Sequence, residues 1–260
     1  MSSILSVENL KYKNILNGVS FELEENTFNI LIGENGSGKT TLVKGIAGLI
    51  NCSGTVIVSN YILCNENIRE IRKNIGVLMD IDSLLPGTVL YNITYPLLNL
   101  NYDESEAKKK VYDLAKKVGL NGLLLKNIDD LSLTERKIVS FCAAIIHSPK
   151  LIIIDDSLDE LDEYNRRKIV GYLKKLNKST VLFITNKEKD ILLSDNLIIM
   201  KNGKISISGK TVELITNEKN FTKNNVEMPF LVDLSLKLKS YDVIDDLILD
   251  VDDMVNAVWK

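Results

Sequence analysis

Apolar and polar residues alternate in "SILSVEN" and again in "GVSFELEEN", which predicts half-buried strands early in the chain. The run "FNILI" (28–32) predicts a fully buried strand, followed by a glycine-rich turn and a helix in "GENGSGKTTLVKGIAGLI". Between about residues 88 and 147 the period becomes helical. There "DESEAKKKVYDLAKKVGL" opens on Asp103 as an N-cap, carries Glu106 at the reciprocal position and closes at Gly119. Strand patterns return at 151–155, 180–185 and 196–209, the last with Asn202-Gly203 as a hairpin turn. Strands separated by helices such as "YNRRKIVGYLKKL" imply a parallel α/β sheet covered on both faces. In the final segment Ile244, Leu247, Ile248, Val251, Val255 and Val258 recur at three- and four-residue steps and predict short helices. Six Asp residues between 242 and 253 read as their solvated face.

With 260 residues and 45% hydrophobic content, the chain can bury a core large enough for one sizeable domain or a domain with an appendage. Its net charge of -3 arises from 35 acidic and 32 basic residues that are interleaved, so no field suited to a nucleic-acid backbone is expected. Cys52, Cys64 and Cys142 are widely spaced, which argues against a disulfide framework or a zinc site and predicts buried apolar thiols. The first residues lack the pattern of a signal peptide, and no run approaches the ~18 apolar residues that span a bilayer. Any tie to a membrane is expected to pass through a partner.

Gly33-Glu34-Asn35-Gly36-Ser37-Gly38-Lys39-Thr40 fits G-x-x-x-x-G-K-[ST] and lies after a buried strand and before a helix, the context this motif requires. Glycines let the backbone curl until its N–H groups face phosphate oxygens, and the helix N-terminus adds its positive end. Gly33, Asn35, Gly36, Ser37, Gly38, Lys39, Thr40 and Thr41 are therefore expected to hold ATP, with Lys39 neutralising phosphate charge and Thr40 ligating Mg²⁺. The run "LIIID" ends in Asp155, which is either a second Mg²⁺ ligand or a helix N-cap.

Twenty-three residues before Asp155 stands Ser132, in "LSLTERKIVSFCAAIIHSPKLIIIDDSLDELD". That interval, the phosphate loop and the later "LD" resemble the ATPase subunits of ABC transporters, whose signature LSGGQ precedes the acidic strand at the same distance. More narrowly, "ENIREIRKNIGVLMD", "SGTVIV" and the tail "MPFLVDLSLKLKS…VDDMVNAVW" are similar to the ATP-binding subunits of energy-coupling factor transporters, which import vitamins and metal ions. The resemblance implies a P-loop NTPase core with a mainly parallel sheet, an antiparallel β subdomain and a small C-terminal helical extension. It places the nucleotide-binding domain at 1–220, its helical subdomain at about 81–149 and the extension at 221–260. It further implies that Tyr12 stacks on adenine, unless it is a core tyrosine on an edge strand. Leu161-Asp162 would cross a dimer interface, though Asp162 equally suits the cap of a helix starting at Glu163. Ser132, Leu133, Thr134 and Asp162 would touch the partner's ATP. The implied partners are a second ABC ATPase, in a homo- or heterodimer, an integral membrane scaffold and a substrate-binding membrane component. The implied location is the cytoplasmic face of the cell membrane.

Four positions depart from the family pattern. Asp80 replaces a glutamine, Leu131-Ser132-Leu133-Thr134-Glu135 replaces LSGGQ, Asp156 replaces the glutamate after the magnesium ligand, and Asn186 replaces the switch histidine. Asp80 either binds Mg²⁺ through water or repels phosphate. As a general base Asp156 is about 1.5 Å shorter than Glu, so weak or absent turnover at this site is expected. Lys39, Asp156 and Asn186 remain the catalytic candidates; the only histidine, His147, is not one of them. The expected function is the ATP-binding subunit of an energy-coupling factor-like importer. The alternatives are a non-hydrolysing, nucleotide-bound scaffold and an ATPase subunit of another ABC transporter.

Overall fold

In the computed structural model, residues 2–79, 84–156, 158 and 161–258 are described. In chain order their main elements are β1 (Ser3–Tyr12), β2 (Leu16–Glu24), β3 (Phe28–Ile32), α1 (Lys39–Ile46), β4 (Ser53–Val58), β5 (Tyr61–Ile62), α2 (Ile68–Asn74) and β6 (Ile75–Met79). There follow α3 (Val89–Asn99), α4 (Glu104–Val118), α5 (Leu133–Ile145), β7 (Leu151–Asp155), α6 (Glu163–Lys174), β8 (Thr180–Ile184), β9 (Asn196–Lys201) and β10 (Lys204–Lys210). The chain ends with α7 (Thr211–Leu214), α8 (Lys219–Thr222), α9 (Phe230–Ser240) and α10 (Val251–Val258).

The wholly buried, mainly apolar strands β3, β7 and β8 sit together because only a sheet covered twice can bury both of their faces. Their six-stranded sheet runs β10-β9-β3-β8-β7-β6, parallel except for the β9–β10 hairpin. Side-chain alternation divides each strand between two cores. Leu31, Ile153, Leu182 and Ile198 point to one side, where α1 and the antiparallel sheet β2-β1-β4-β5 cover them. Ile30, Ile32, Ile152, Ile154 and Phe183 point to the other, against α3 to α6. The expected fold class, a mainly parallel α/β core with an antiparallel sheet and a helical insertion, is the one observed.

Local predictions hold with one change of partner at α4. Asp103 caps that helix by accepting from the amides of Ser105 at 2.8 Å and Glu106 at 3.4 Å, and Gly119 ends it with φ +83°. The same carboxylate takes the Ser105 hydroxyl at 2.6 Å, where the reciprocal Glu106 contact was expected. Asn202 and Gly203 both adopt positive φ, 50° and 74°, as a two-residue hairpin turn requires.

Two expectations need correction. Of the thiols expected to be buried, Cys142 is, but Cys52 is half-buried and Cys64 is exposed, because the short strand β5 leads it onto the surface. After α8 the described tail residues form the helices α9 and α10; Ile244, Leu247 and Ile248 lie in the irregular stretch between them. Val251, Val255 and Val258 face solvent, while Met254 supplies the buried contact of α10. The tail nonetheless shares the main core through Phe221 and Val232, and its six Asp residues are exposed.

Helix α5 comes close to β6 at Gly76, where an added Cβ would lie 2.2 Å from the carbonyl oxygen of Ala144. Gly76→Ala is expected to destabilise the fold by about 1–3 kcal/mol through forced separation of these elements, read from the urea midpoint.

Candidate functional site

Parallel pairing aligns the carboxyl ends of three neighbouring strands. Leu31 of β3 pairs with Ile184 of β8, and Ile184 pairs with Asp155 of β7. The residues that follow on each strand therefore emerge along one edge: the loop 33–38 from β3, Asn186 from β8 and Asp156 from β7. In open α/β sheets this edge is where ligands bind.

The loop keeps its shape through glycine and through support from behind. Gly36 and Gly38 have φ +81° and +104°. A Cβ on Gly33 would lie 2.1 Å from the carbonyl oxygen of Met200, so only glycine lets the loop rest on β9. The amide of Gly203, in the β9–β10 turn, donates to the Ser37 carbonyl at 3.0 Å, and the amide of Ser37 donates to the Glu34 carbonyl at 3.0 Å. Helix α1 starts at Lys39 directly after the loop, so its first N–H groups, which have no intrahelical partner, open toward the same space.

Lys39 is buried, and its ammonium donates to the carbonyls of Gly33 at 2.7 Å and Glu34 at 3.3 Å and to Oδ1 of Asn186 at 2.9 Å. Burial pulls its pKa below the ordinary 10.5, while the charges of Asp156 and Asp155 oppose that shift. Asn186 also donates from Nδ2 to Oδ2 of Asp156 at 3.4 Å, so its amide bridges the cation and the acid. Asp155 is 3% exposed at the end of β7, and Asp156 turns into the left-handed region with φ +48°. Thr40 and Thr41 lie in the first turn of α1.

Tyr12 ends β1 half-buried, with the Lys13 ammonium 5.1 Å from its ring centre. Its turn reaches the cradle: an added Cβ on Gly38 would come within 3.3 Å of the Ile15 carbonyl oxygen. Asn225, beyond α8, donates from Nδ2 to Oε1 of Glu34 at 2.8 Å, so the tail also touches the loop. Asp80 lies outside the described residues.

The structure does not bring Ser132, Leu133, Thr134 and Asp162 to these groups. Ser132 begins α5 in a reciprocal box, its hydroxyl accepting from the Glu135 amide at 3.3 Å while its own amide donates to Oε2 of Glu135 at 2.8 Å. The Ser132 amide and hydroxyl, both donating to Oε2, hold the Glu135 carboxyl below the usual carboxylate range. Leu133 is 74% exposed on the next residue. Asp162 caps α6, accepting from the Asn165 amide at 2.9 Å. His147 is far from this edge in the chain's path: it follows α5 and lies 3.2 Å from the carbonyl oxygen of Ile75, at the opposite end of β6.

A network that was missed in the sequence stands behind Asn186. Arg166 of α6 donates from both terminal nitrogens to the carboxylate of Asp190, at 2.9 Å in the Nη1 to Oδ1 bond. Thr185 donates to Oδ2 of Asp190 at 2.7 Å and accepts from the Lys187 amide at 3.1 Å. One sequence clue existed: Arg166 interrupts the otherwise apolar stripe Ile169, Val170, Leu173 on α6.

The family model described as ABC transporter matches residues 16–159. The chain is 29% identical over 243 residues to the energy-coupling factor transporter ATP-binding protein EcfA of Pediococcus pentosaceus, covering 88% of this chain and 87% of that one. It is 28% identical over 280 residues to EcfA1 of Streptococcus pneumoniae, covering 100% of this chain and 99% of that one. In fold it resembles cbiO1 from Clostridium perfringens, part of the ABC transporter complex cbiONQ, with a TM-score of 0.74 at 24% identity, over 90% of this chain and 99% of that one. A dimeric ATP-binding cassette bound to ADP and phosphate has a TM-score of 0.72 at 24% identity, over 80% of this chain and 98% of that one.

Proposed function

Because the chain belongs to the ABC transporter family, whose ATPases hydrolyse ATP, we propose that it is the ATP-binding subunit of an energy-coupling factor-type importer of a vitamin or metal ion, with weak turnover at its own site. The observation that carries this reading is the convergence of the 33–41 loop, Lys39, Asp155, Asp156 and Asn186 on one sheet edge. The relatives named EcfA over nearly the whole length support the transporter class.

In this reading the 33–41 loop and Tyr12 hold ATP, and Lys39 leaves its carbonyl partners for the phosphates. The Thr40 hydroxyl and the Asp155 carboxylate are hard oxygen donors and fit Mg²⁺, which takes few protein ligands because it keeps phosphate and water oxygens. Accordingly, no cluster of three or more metal-ligating side chains is needed, and none is found among the described residues. When bound, the ion would supply positive charge that offsets the charge of the phosphates. Asp156 is the candidate base for the attacking water, and the Asn186 amide, which donates to Asp156 in the free protein, is the candidate donor to the terminal phosphate.

Ser132, Leu133, Thr134 and Asp162 are exposed or half-buried away from this cradle, which suits contact with ATP held by a second ATPase. Leu133 and Thr134 put side chains where glycines would let helix amides approach phosphate, so this half of the dimer serves its partner's nucleotide weakly. Among the described residues no helix is long and apolar enough to cross a membrane, so attachment to the membrane's cytoplasmic face would run through the integral scaffold.

The test is ATP turnover of the complex assembled with scaffold and second ATPase, each ATPase site disabled in turn. Disabling the partner's site is expected to remove most turnover, and Asp156→Asn a smaller share. Equal losses would overturn the assignment of this chain as the weaker site. A share of zero for Asp156→Asn would leave the nucleotide-bound scaffold as the better reading, which the short Asp156 side chain and the Asn186 amide also favour.

A further inference from the structure

We propose that Arg166, Asp190 and Thr185 are positioning residues for Asn186, a buried brace that sets the Asn186 amide against the terminal phosphate of the bound nucleotide. The proposal rests on the reading of Asn186 as a phosphate contact. Thr185 immediately precedes Asn186, and Asp190 lies in the 3₁₀ helix Glu188–Leu193 that follows, so the switch residue is held from both sides. Thr185 fixes the loop twice, through its hydroxyl bond to Asp190 at 2.7 Å and through acceptance from the Lys187 amide at 3.1 Å. Asp190, 1% exposed, is neutralised by Arg166, 4% exposed, whose guanidinium also lies 5.6 Å from the centre of the Phe183 ring.

An apolar pair of similar volume would serve packing as well or better, because burying both ions costs more desolvation than their attraction commonly returns. What the charged pair adds is direction: a bidentate fork fixes the carboxylate in plane, and the carboxylate fixes Thr185. The brace also has a second end. Arg166 stands one turn along α6 from Asp162, the cap that begins the helix at the corner formed by buried Leu161 and exposed Asp162. Movement of that corner by a second ATPase would thus pass along α6 to the Asn186 loop without leaving hydrogen-bonded groups.

The deciding measurement is the ratio of ADP to ATP dissociation constants in Mg²⁺, taken on the assembled complex with fluorescent analogues, because that ratio isolates the terminal phosphate. Asn186→Ala is expected to lower it about tenfold, the worth of one hydrogen bond to a charged group. Thr185→Val and the apolar pair R166M/D190L are expected to lower it several-fold with ADP affinity unchanged, to have no further effect in an Asn186→Ala background, and Thr185→Ser to restore it. Thermal melting confirms folding; if R166M/D190L does not fold, the Thr185 series decides. Additive losses, equal losses of ADP and ATP affinity, or a wild-type ratio for Thr185→Val beside an effective Asn186→Ala would overturn the brace. An unchanged ratio for Asn186→Ala itself would overturn the phosphate contact, and the brace with it.

Discussion

Lys39→Ala is expected to weaken binding of a fluorescent ATP analogue by about 10²-fold or more, since two hydrogen bonds to a charged group, at about 1.5–3 kcal/mol each, disappear together. Folding is expected to survive. Among the described residues the ammonium serves the Gly33 and Glu34 carbonyls and Asn186, and its burial already works against the charge. Melting without nucleotide, near the wild-type midpoint, separates lost binding from lost structure. The depressed pKa of Lys39 adds a pH dependence whose sign follows from linkage. The bound triphosphate favours the charged lysine, so affinity holds while Lys39 is protonated in the free protein. It falls as pH rises through the lowered pKa, below the ordinary lysine value of 10.5. Equal affinities for wild type and Lys39→Ala would remove the phosphate cradle as the basis of function.

Asp156→Glu combined with Asn186→His is expected to raise single-turnover hydrolysis at this site by about 10². The carboxylate would reach about 1.5 Å further toward the attacking water, and an imidazole would replace an amide that now spends one end on Lys39 and the other on Asp156. A cost accompanies the gain. Asp156 sits at φ +48°, a region that Asp tolerates through its short polar side chain, so Glu there is expected to lower stability by about 1 kcal/mol. Phosphate release from the complex, with the partner ATPase disabled, measures the rate. If the double variant is no faster than wild type, and Asp156→Asn no slower, the site is inert and only holds nucleotide.

Two of the departures from the family pattern, at Asp156 and Asn186, meet in space although they are far apart in the chain. Asn186 touches both Lys39 and Asp156, so two substitutions 30 positions apart in sequence meet within one hydrogen-bonded chain. The signature departure at Leu133 and Thr134 is separate, at a helix start that keeps its reciprocal cap. The substitutions thus retain the fold and its capping while altering groups that would face phosphate.

The phosphate loop, the buried strand before it and the hairpin at Asn202-Gly203 were determined by sequence alone, because each depends on a few consecutive residues whose backbone demands are local. The class of sheet followed from apolar runs too short for helices and too continuous for one-sided strands. Tertiary structure decided the rest. It paired Arg166 with Asp190 across 24 residues, brought Asn225 of the tail to Glu34, and turned the Asn186 amide toward both Lys39 and Asp156. It also left Val251, Val255 and Val258 facing water although their spacing marks an apolar stripe. Periodicity fixes which side of a helix is apolar, whereas what covers that side, and which charge is neutralised by which, depends on distances between segments that the chain's own order does not specify.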